Sequence, residues 1–189
     1  AEQGALNASQ QIRFRIADGL GDVLMMRGRY AESEDRLNTA LDLASSDIGR
    51  AKTEAKLGEL AFKRGDMTRA AETLEAALGH FGERIPRSLF GYAVSLMKEV
   101  FVQTLHTLWP GLFVHRRKTE PPEQERVRLR LLSRLSYVNW FARGSVPTLW
   151  SHLREVNLAE RYLPSLELAQ AWSEHAPAMT MIPLHTRGI

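Results

Sequence analysis

Six histidines are the first residues to test for chemistry: His80, His106, His115, His152, His175 and His185. No two stand at the i, i+4 spacing that puts two imidazoles on one helix face for a metal ion. A split site drawn from several helices is one reading. Half-buried or surface histidines are the other, and the scatter favours it. Glu174 adjoins His175, but neighbouring residues on a helix point apart, so they are not read as an acid–base pair. The phosphate-cradling GxxxxGK[ST], the nucleophile GxSxG and the zinc-binding HExxH are absent. The expectation is therefore a chain with no catalytic, cofactor-binding or metal-binding residues. Arg64-Gly65-Asp66 spells an adhesion tripeptide, but a helix stop followed by a cap accounts for it.

Two further stretches could do chemistry at a surface. "HRRK" at 115–118, followed by Arg126, Arg128, Arg130 and Arg134, is the one basic cluster. It could meet phosphate, nucleic acid or an anionic membrane. Glu120, Glu123 and Glu125 lie in the same stretch and no aromatic platform is interleaved, which argues against nucleic acid and for a solvated turn and helix face. "LFGYAVSLMKEVFVQTLHTLWPGLFV", residues 89–114, is the most apolar segment. A membrane-spanning helix needs ~20 mostly apolar residues. Lys98, Glu99, Gln103 and His106 interrupt this one and Pro110-Gly111 breaks it. Charges at mid-bilayer cost roughly 2.5–3.5 kcal/mol each, which argues against spanning. The expectation is a long packed helix with Phe101, Leu105, Leu108 and Trp109 on its buried side.

The elements that would position these residues are helices. Ala, Leu, Glu and Arg dominate, alternating β-branched runs are missing, and apolar residues recur at helical spacing, as in Leu37, Ala40, Leu41 and Ala44. The pattern predicts about eight helices, at 5–27, 30–45, 49–64, 67–80, 87–108, 122–142, 146–161 and 165–181. Gly28, Gly65 and Gly144 each follow an arginine. Glycine there can turn left-handed and close the last carbonyls of a helix, while the arginine complements its dipole. Asp66 and Ser145 suit the N-caps that follow, and Pro147 suits a first turn.

The composition sets limits on the whole. The 189 residues are 44% hydrophobic and 25% charged, which fits a folded protein, and the formal charge of +3 is too small to imply nucleic acid by itself. Without cysteine there is no disulfide framework, thiolate zinc site or cysteine nucleophile. No secretion signal opens the chain, and a cytoplasmic location is expected. The chain starts at Ala1 and ends on "LHTRGI", which reads as a piece of a longer polypeptide.

"LGDVLMMRGRYAESEDRLNTAL" at 20–41 and "LGELAFKRGDMTRAAETLEAAL" at 57–78 fall into register on their glycines. Gly21 pairs with Gly58, Leu20 with Leu57, Leu37 with Leu74 and Ala40 with Ala77, a period of 58 − 21 = 37 residues. A helix–turn–helix of this length marks a stacked helical repeat. Glycine inside a helix costs roughly 1 kcal/mol relative to alanine, so matching glycines imply that a partner helix needs the space, with Ala70 among the small residues opposite.

These pairs resemble tetratricopeptide repeats. Leu20-Gly21, Leu24, Gly28, Tyr30, Leu37 and Ala40 match that pattern, as do Leu57-Gly58, Ala61, Gly65, Ala70, Leu74 and Ala77. Trp140, Gly144, Leu149 and Leu153 fit a degenerate unit in which Tyr137 replaces the packing glycine. The resemblance implies an all-α, right-handed superhelical stack of antiparallel helix pairs. Its repeats would lie at 14–47, 51–84 and 130–161, with 86–122 as an insertion or decayed repeat. A further unit would begin near 165 and reach Arg187-Gly188. "RIADGLGDVLMMRGRY", "KLGELAFKRGD", "LHTLWPGLFVHRR" and "SEHAPAMTMIPL" are also similar to helical-repeat regions of large bacterial signalling proteins. There, such a region follows a STAND-type or AAA-like ATPase module, sometimes with kinase or cyclase domains. Any catalysis would then lie outside these residues. Tetratricopeptide arrays line a groove with the first helix of each pair. By that resemblance the groove residues are Arg15, Asp18, Asp22, Met25, Lys52, Glu59, Phe62, Arg134, Val138 and Phe141. The implied partner is a protein or peptide segment, or another domain of the same chain, with no metal and no cofactor. An anionic surface bound through 115–134 is the alternative.

Overall fold

A computed structural model describes the backbone of residues 2–180 and the side chains of 8–174. His185 and Arg187-Gly188, where the last predicted unit would end, lie outside the described residues, as does the side chain of His175. Among the described residues the chain is all-helical. It divides into two compact units, Ala1–Glu83 and Arg84–Ile189.

The first unit holds α1 (Glu2–Met26), α2 (Tyr30–Leu43), α3 (Asp47–Lys63) and α4 (Met67–Gly79). The helices stop where the glycines predict. Gly28 and Gly65 take φ of 74° and 82°. The amide of the following residue reaches back five positions, Arg29 to Leu24 O and Asp66 to Ala61 O, both at 2.9 Å. Asp66 caps α4 through Oδ1, 3.0 Å from the Arg69 amide, and Ser46 caps α3 through Oγ, 3.1 Å from Gly49 N. Each pair runs antiparallel. Gln10 Nε2 donates to Leu43 O at one end of α1–α2, and Ser33 Oγ donates to Gly21 O at 2.8 Å near the turn.

Gly21 and Gly58 sit where the helices nest. A Cβ on Gly21 would fall 2.6 Å from Leu37 Cδ2, and one on Gly58 would fall 3.0 Å from Leu74 Cγ. Leu37, Ala40, Ala70, Leu74 and Ala77 on the opposing helices are fully buried. The two pairs meet through Met25, Leu37 and Leu60, with Tyr30 and Leu57 packed against that cluster. One packing residue is corrected. Leu20 is 45% exposed, because it lies one step round α1 from the face that carries Gly21.

The second unit holds α5 (Leu89–Leu108), α6 (Pro110–Phe113), α7 (Glu123–Ala142), α8 (Ser145–Ala159) and α9 (Leu166–Thr180). Helix α6 is an addition to the eight expected, a single turn started by Pro110 at its first position. Helix α8 is central: α5, α7 and α9 each pack on it. Gly144 ends α7 with φ 86°, its amide 2.9 Å from Asn139 O. The N-cap of α8 is Gly144 itself rather than Ser145, and Pro147 lies in the first turn as expected. Tyr137 points into solvent. The small residue at the helix crossing is its neighbour Ser136, whose Oγ donates to Thr148 O at 3.2 Å.

Helix α5 reverses the expectation for its buried side. Tyr92, Glu99 and His106 are its buried residues, at spacings of seven. Phe101, Leu108 and Trp109 are exposed and Leu105 half-buried, while Phe90, Val94 and Met97 also face outward. The polar side chains go inward because α8 and the turn after it supply their partners. Glu99 accepts from Asn157 Nδ2 at 2.8 Å and Arg154 Nη1 at 3.3 Å, and His106 Nδ1 lies 2.6 Å from Glu160 Oε2.

Candidate functional site

A polar strip runs along the first helices of the two N-terminal pairs. Lys56 of α3 donates to Asp18 at 2.7 Å and Asp22 at 2.6 Å of α1. Burial alone would lower the Lys56 pKa, but hydrogen bonds from its ammonium to Asp18 and Asp22 raise it. These aspartates therefore hold α1 to α3. Glu34 of α2 does the same at the other edge, accepting from Arg64 and Arg69. Burial would raise its pKa, and the hydrogen bonds to Arg69 and Arg64 bring it below the usual carboxylate range.

Of the other predicted groove residues, Arg15 and Lys52 are exposed, and Glu59 and Phe62 half-buried. Met25 is not groove-lining. It is 6% exposed, because it follows Gly21 by one helical turn and its long side chain fills the junction with Leu37 and Leu60. In the second unit Arg134 and Phe141 are exposed, and Phe141 meets Tyr137 edge to face at 5.4 Å. Val138 is only 4% exposed, since α7 buries a wide arc from Val127 to Asn139 between α8 and α9.

What sequence spacing missed is the bare face of α1. Ile12, Ile16, Leu20 and Val23 form an exposed apolar stripe. Ile16 and Leu20 line a cleft of about 400 Å³ with Arg13 and with Arg36 and Leu43 of α2. The periodicity that located the repeat contains this signal, because Leu20 already aligns with Leu57.

The basic segment is partly engaged. Arg117 stacks on Tyr162, 5.1 Å from the ring centroid, and its amide donates to Arg161 O at 2.8 Å. Arg130 pairs with Glu167 at 2.9 Å. Burial, followed by the charges of Arg116, Arg154 and Arg117, lowers the Arg161 pKa, so four guanidinium groups crowd one corner of the unit.

The interior of the second unit also holds His152 and Glu155 of α8 beside Glu174 of α9, with one ligand atom from each within 4.8 Å of the others. Burial, then the Glu174 charge, pushes the Glu155 carboxyl up to about 9. This is the one cluster among the described residues with the donor types to hold a metal ion.

Comparison with protein-family models, curated proteins and solved structures found no match.

Proposed function

We propose that the chain is a non-catalytic helix-recognition module. In this reading it is a tetratricopeptide-like, right-handed stack of helix pairs that binds a helical segment of another protein, or of another domain of the same polypeptide, through the outer face of α1. The observation that carries the reading is internal to the repeat. Ile16, Leu20 and Val23 become Thr53, Leu57 and Leu60 one period later (16 + 37 = 53, 20 + 37 = 57, 23 + 37 = 60). On α3 those positions are covered: Thr53 and Leu60 are buried and Leu57 packs on the Met25–Leu37–Leu60 cluster. On α1 all three are exposed. The same face therefore docks a helix pair at one repeat and is bare at the preceding one. The occupant's chemistry follows from what covers α3. It is a helix bearing large apolar side chains in the manner of Tyr30 and Leu37, with an acid placed like Glu34. That acid would meet Arg27, the counterpart of Arg64 (64 − 37 = 27).

The resemblance to helical-repeat regions of bacterial STAND-type or AAA-like signalling ATPases supports a regulatory scaffold in the cytoplasm, with kinase, cyclase or ATPase activity in other domains.

The test exploits the lack of cysteine. A benzophenone-maleimide placed on Leu20→Cys should form a discrete crosslinked product with one protein in extract from the source cells. Adding Ile16→Asp and Val23→Asp should reduce its yield at least ~10-fold. Identical products from the charged variant, or from a label at exposed Asn38, would refute the reading.

The crowding of Arg116, Arg117, Arg154 and Arg161 favours one alternative, an anionic surface bound through 115–134. No helix among the described residues is long and apolar enough to cross a membrane, so contact would be peripheral. Arg116→Ala, Arg117→Ala and Lys118→Ala together should then abolish flotation with anionic vesicles. Unchanged flotation would remove the alternative.

A further inference from the structure

We propose that His152, Glu155 and Glu174 form a binding site for one divalent transition-metal ion, fastening α9 onto α8. This goes beyond the helix-recognition reading and does not depend on it, and it departs from the expectation of a chain without metal. His152 and Glu155 stand three apart on α8, so their side chains share a face. Glu174 reaches the same point from α9. His152 and Glu155 are each 1% exposed. Glu155 Oε2 is buried with no hydrogen-bond partner, a costly arrangement for an acid oxygen unless something binds it.

A second ring of contacts orients the third ligand. Ser133 Oγ of α7 donates toward both Glu174 oxygens at 3.0 Å. Gln170 Nε2 donates to Glu174 Oε1 at 3.0 Å and to Ser133 Oγ at 3.1 Å. Such outer-shell partners fix ligand geometry in metal sites. A dication held between the Glu155 and Glu174 side chains would give both acids a shared partner.

One imidazole nitrogen and two carboxylate oxygens suit zinc or a related first-row ion. Calcium and magnesium take larger, oxygen-only shells. Zinc bonds of ~2.1 Å in tetrahedral geometry put ligand atoms roughly 3.4 Å apart. The 4.8 Å spread then has to contract by about 1.4 Å at most, within reach of side-chain rotation.

The experiment is calorimetric titration of the chelator-treated 189-residue chain with Zn²⁺, in excess Mg²⁺ and Ca²⁺. The wild type should take up one equivalent that Glu155→Gln and Glu174→Gln weaken at least ~100-fold. Ser133→Ala should weaken it roughly 10–100-fold. Glu155→Gln keeps the shape of the side chain and removes a buried acid, so its helical circular dichroism should match wild type and a loss of binding is not a loss of fold. Co²⁺ provides a second readout: its visible ligand-field bands should change on His152→Gln. The proposal is overturned if no stoichiometric Zn²⁺ uptake occurs at micromolar concentration. It is equally overturned if the two glutamine variants bind as the wild type does.

Discussion

Replacing Gly21 with alanine should destabilise the first unit even though alanine is the better helix former. The preference for alanine within a helix amounts to about 1 kcal/mol. Against it stands the new Cβ, 2.6 Å from Leu37 Cδ2 and 2.7 Å from Cγ, well inside the 3.5–4.0 Å at which carbon atoms attract. Leu37 is 0% exposed and packs with Met25 and Leu60, so it cannot swing aside. Overpacking of this kind costs roughly 1–3 kcal/mol, plus strain on the Ser33–Gly21 hydrogen bond that passes through the same crossing. The net expectation for Gly21→Ala is a loss of about 1 kcal/mol or more, or roughly 4–8 °C in Tm for a unit of this size. Gly58→Ala meets Leu74 at 3.0 Å, a milder contact, and should come out near neutral. Gly19→Ala has nothing within 4 Å and should keep the helix preference, gaining up to ~1 kcal/mol. Thermal melts followed by circular dichroism give the order Gly19→Ala, then wild type and Gly58→Ala together, then Gly21→Ala. In a Leu37→Ala background the clash disappears, so the Gly21→Ala penalty should vanish with a coupling of about 1 kcal/mol or more. If Gly21→Ala is as stable as Gly19→Ala, the close nesting of α1 on α2 is not what the glycine is for.

Further outcomes follow from other contacts. Glu34→Gln should cost up to ~1 kcal/mol at pH 7, since it removes the acid that Arg64 and Arg69 share. The folded-state pKa of Glu34 is depressed, so this contribution is present above the unfolded value and is lost as pH falls through the folded one. Denaturant midpoints of wild type and variant should therefore converge in acid. Lys56→Met should destabilise the first unit by leaving Asp18 and Asp22 without their shared cation, and Asp22→Asn in that background should recover part of the loss in the same melts. Asn157→Leu should destabilise the second unit by about 1–3 kcal/mol, because Glu99 would keep its buried carboxylate with one donor fewer. Phe90→Asp on the outward face of α5 should leave stability within about 0.5 kcal/mol.

The helical content was legible because its punctuation is local. A glycine after an arginine ends a helix through its own φ, and Asp66 caps the next through its own side chain, so Gly28, Gly65 and Gly144 could be placed from neighbours alone. The nesting glycines were legible because a period of 37 repeats them. What escaped depends on partners distant in sequence. Met25 and Asp22 are three apart on α1, and only the arrival of Leu60 decides that one is core and the other rim. Helix α5 misled for the same reason: its apolar residues outnumber its polar ones, yet Glu99 and His106 find Arg154, Asn157 and Glu160 more than fifty residues on. The His152–Glu155 pair was in plain view at a spacing of three, but a search for histidine pairs alone passes over it. Its third member, Glu174, comes from another helix that no spacing rule connects.

The most direct measurement of helix recognition by α1 is the thiol reactivity of Leu20→Cys, the sole cysteine in an otherwise cysteine-free chain. It would be compared in the natural chain and in one carrying an extra copy of residues 10–46 inserted in register between Ser9 and Gln10, with the cysteine in the original copy. In the natural chain it should react rapidly, and Leu57→Cys slowly. In the extended chain the added pair should cover the face, and the rate at position 20 should fall at least ~10-fold, to that of position 57. A rate unchanged by the extra pair would mean that the exposed stripe of α1 is not a surface on which helices dock.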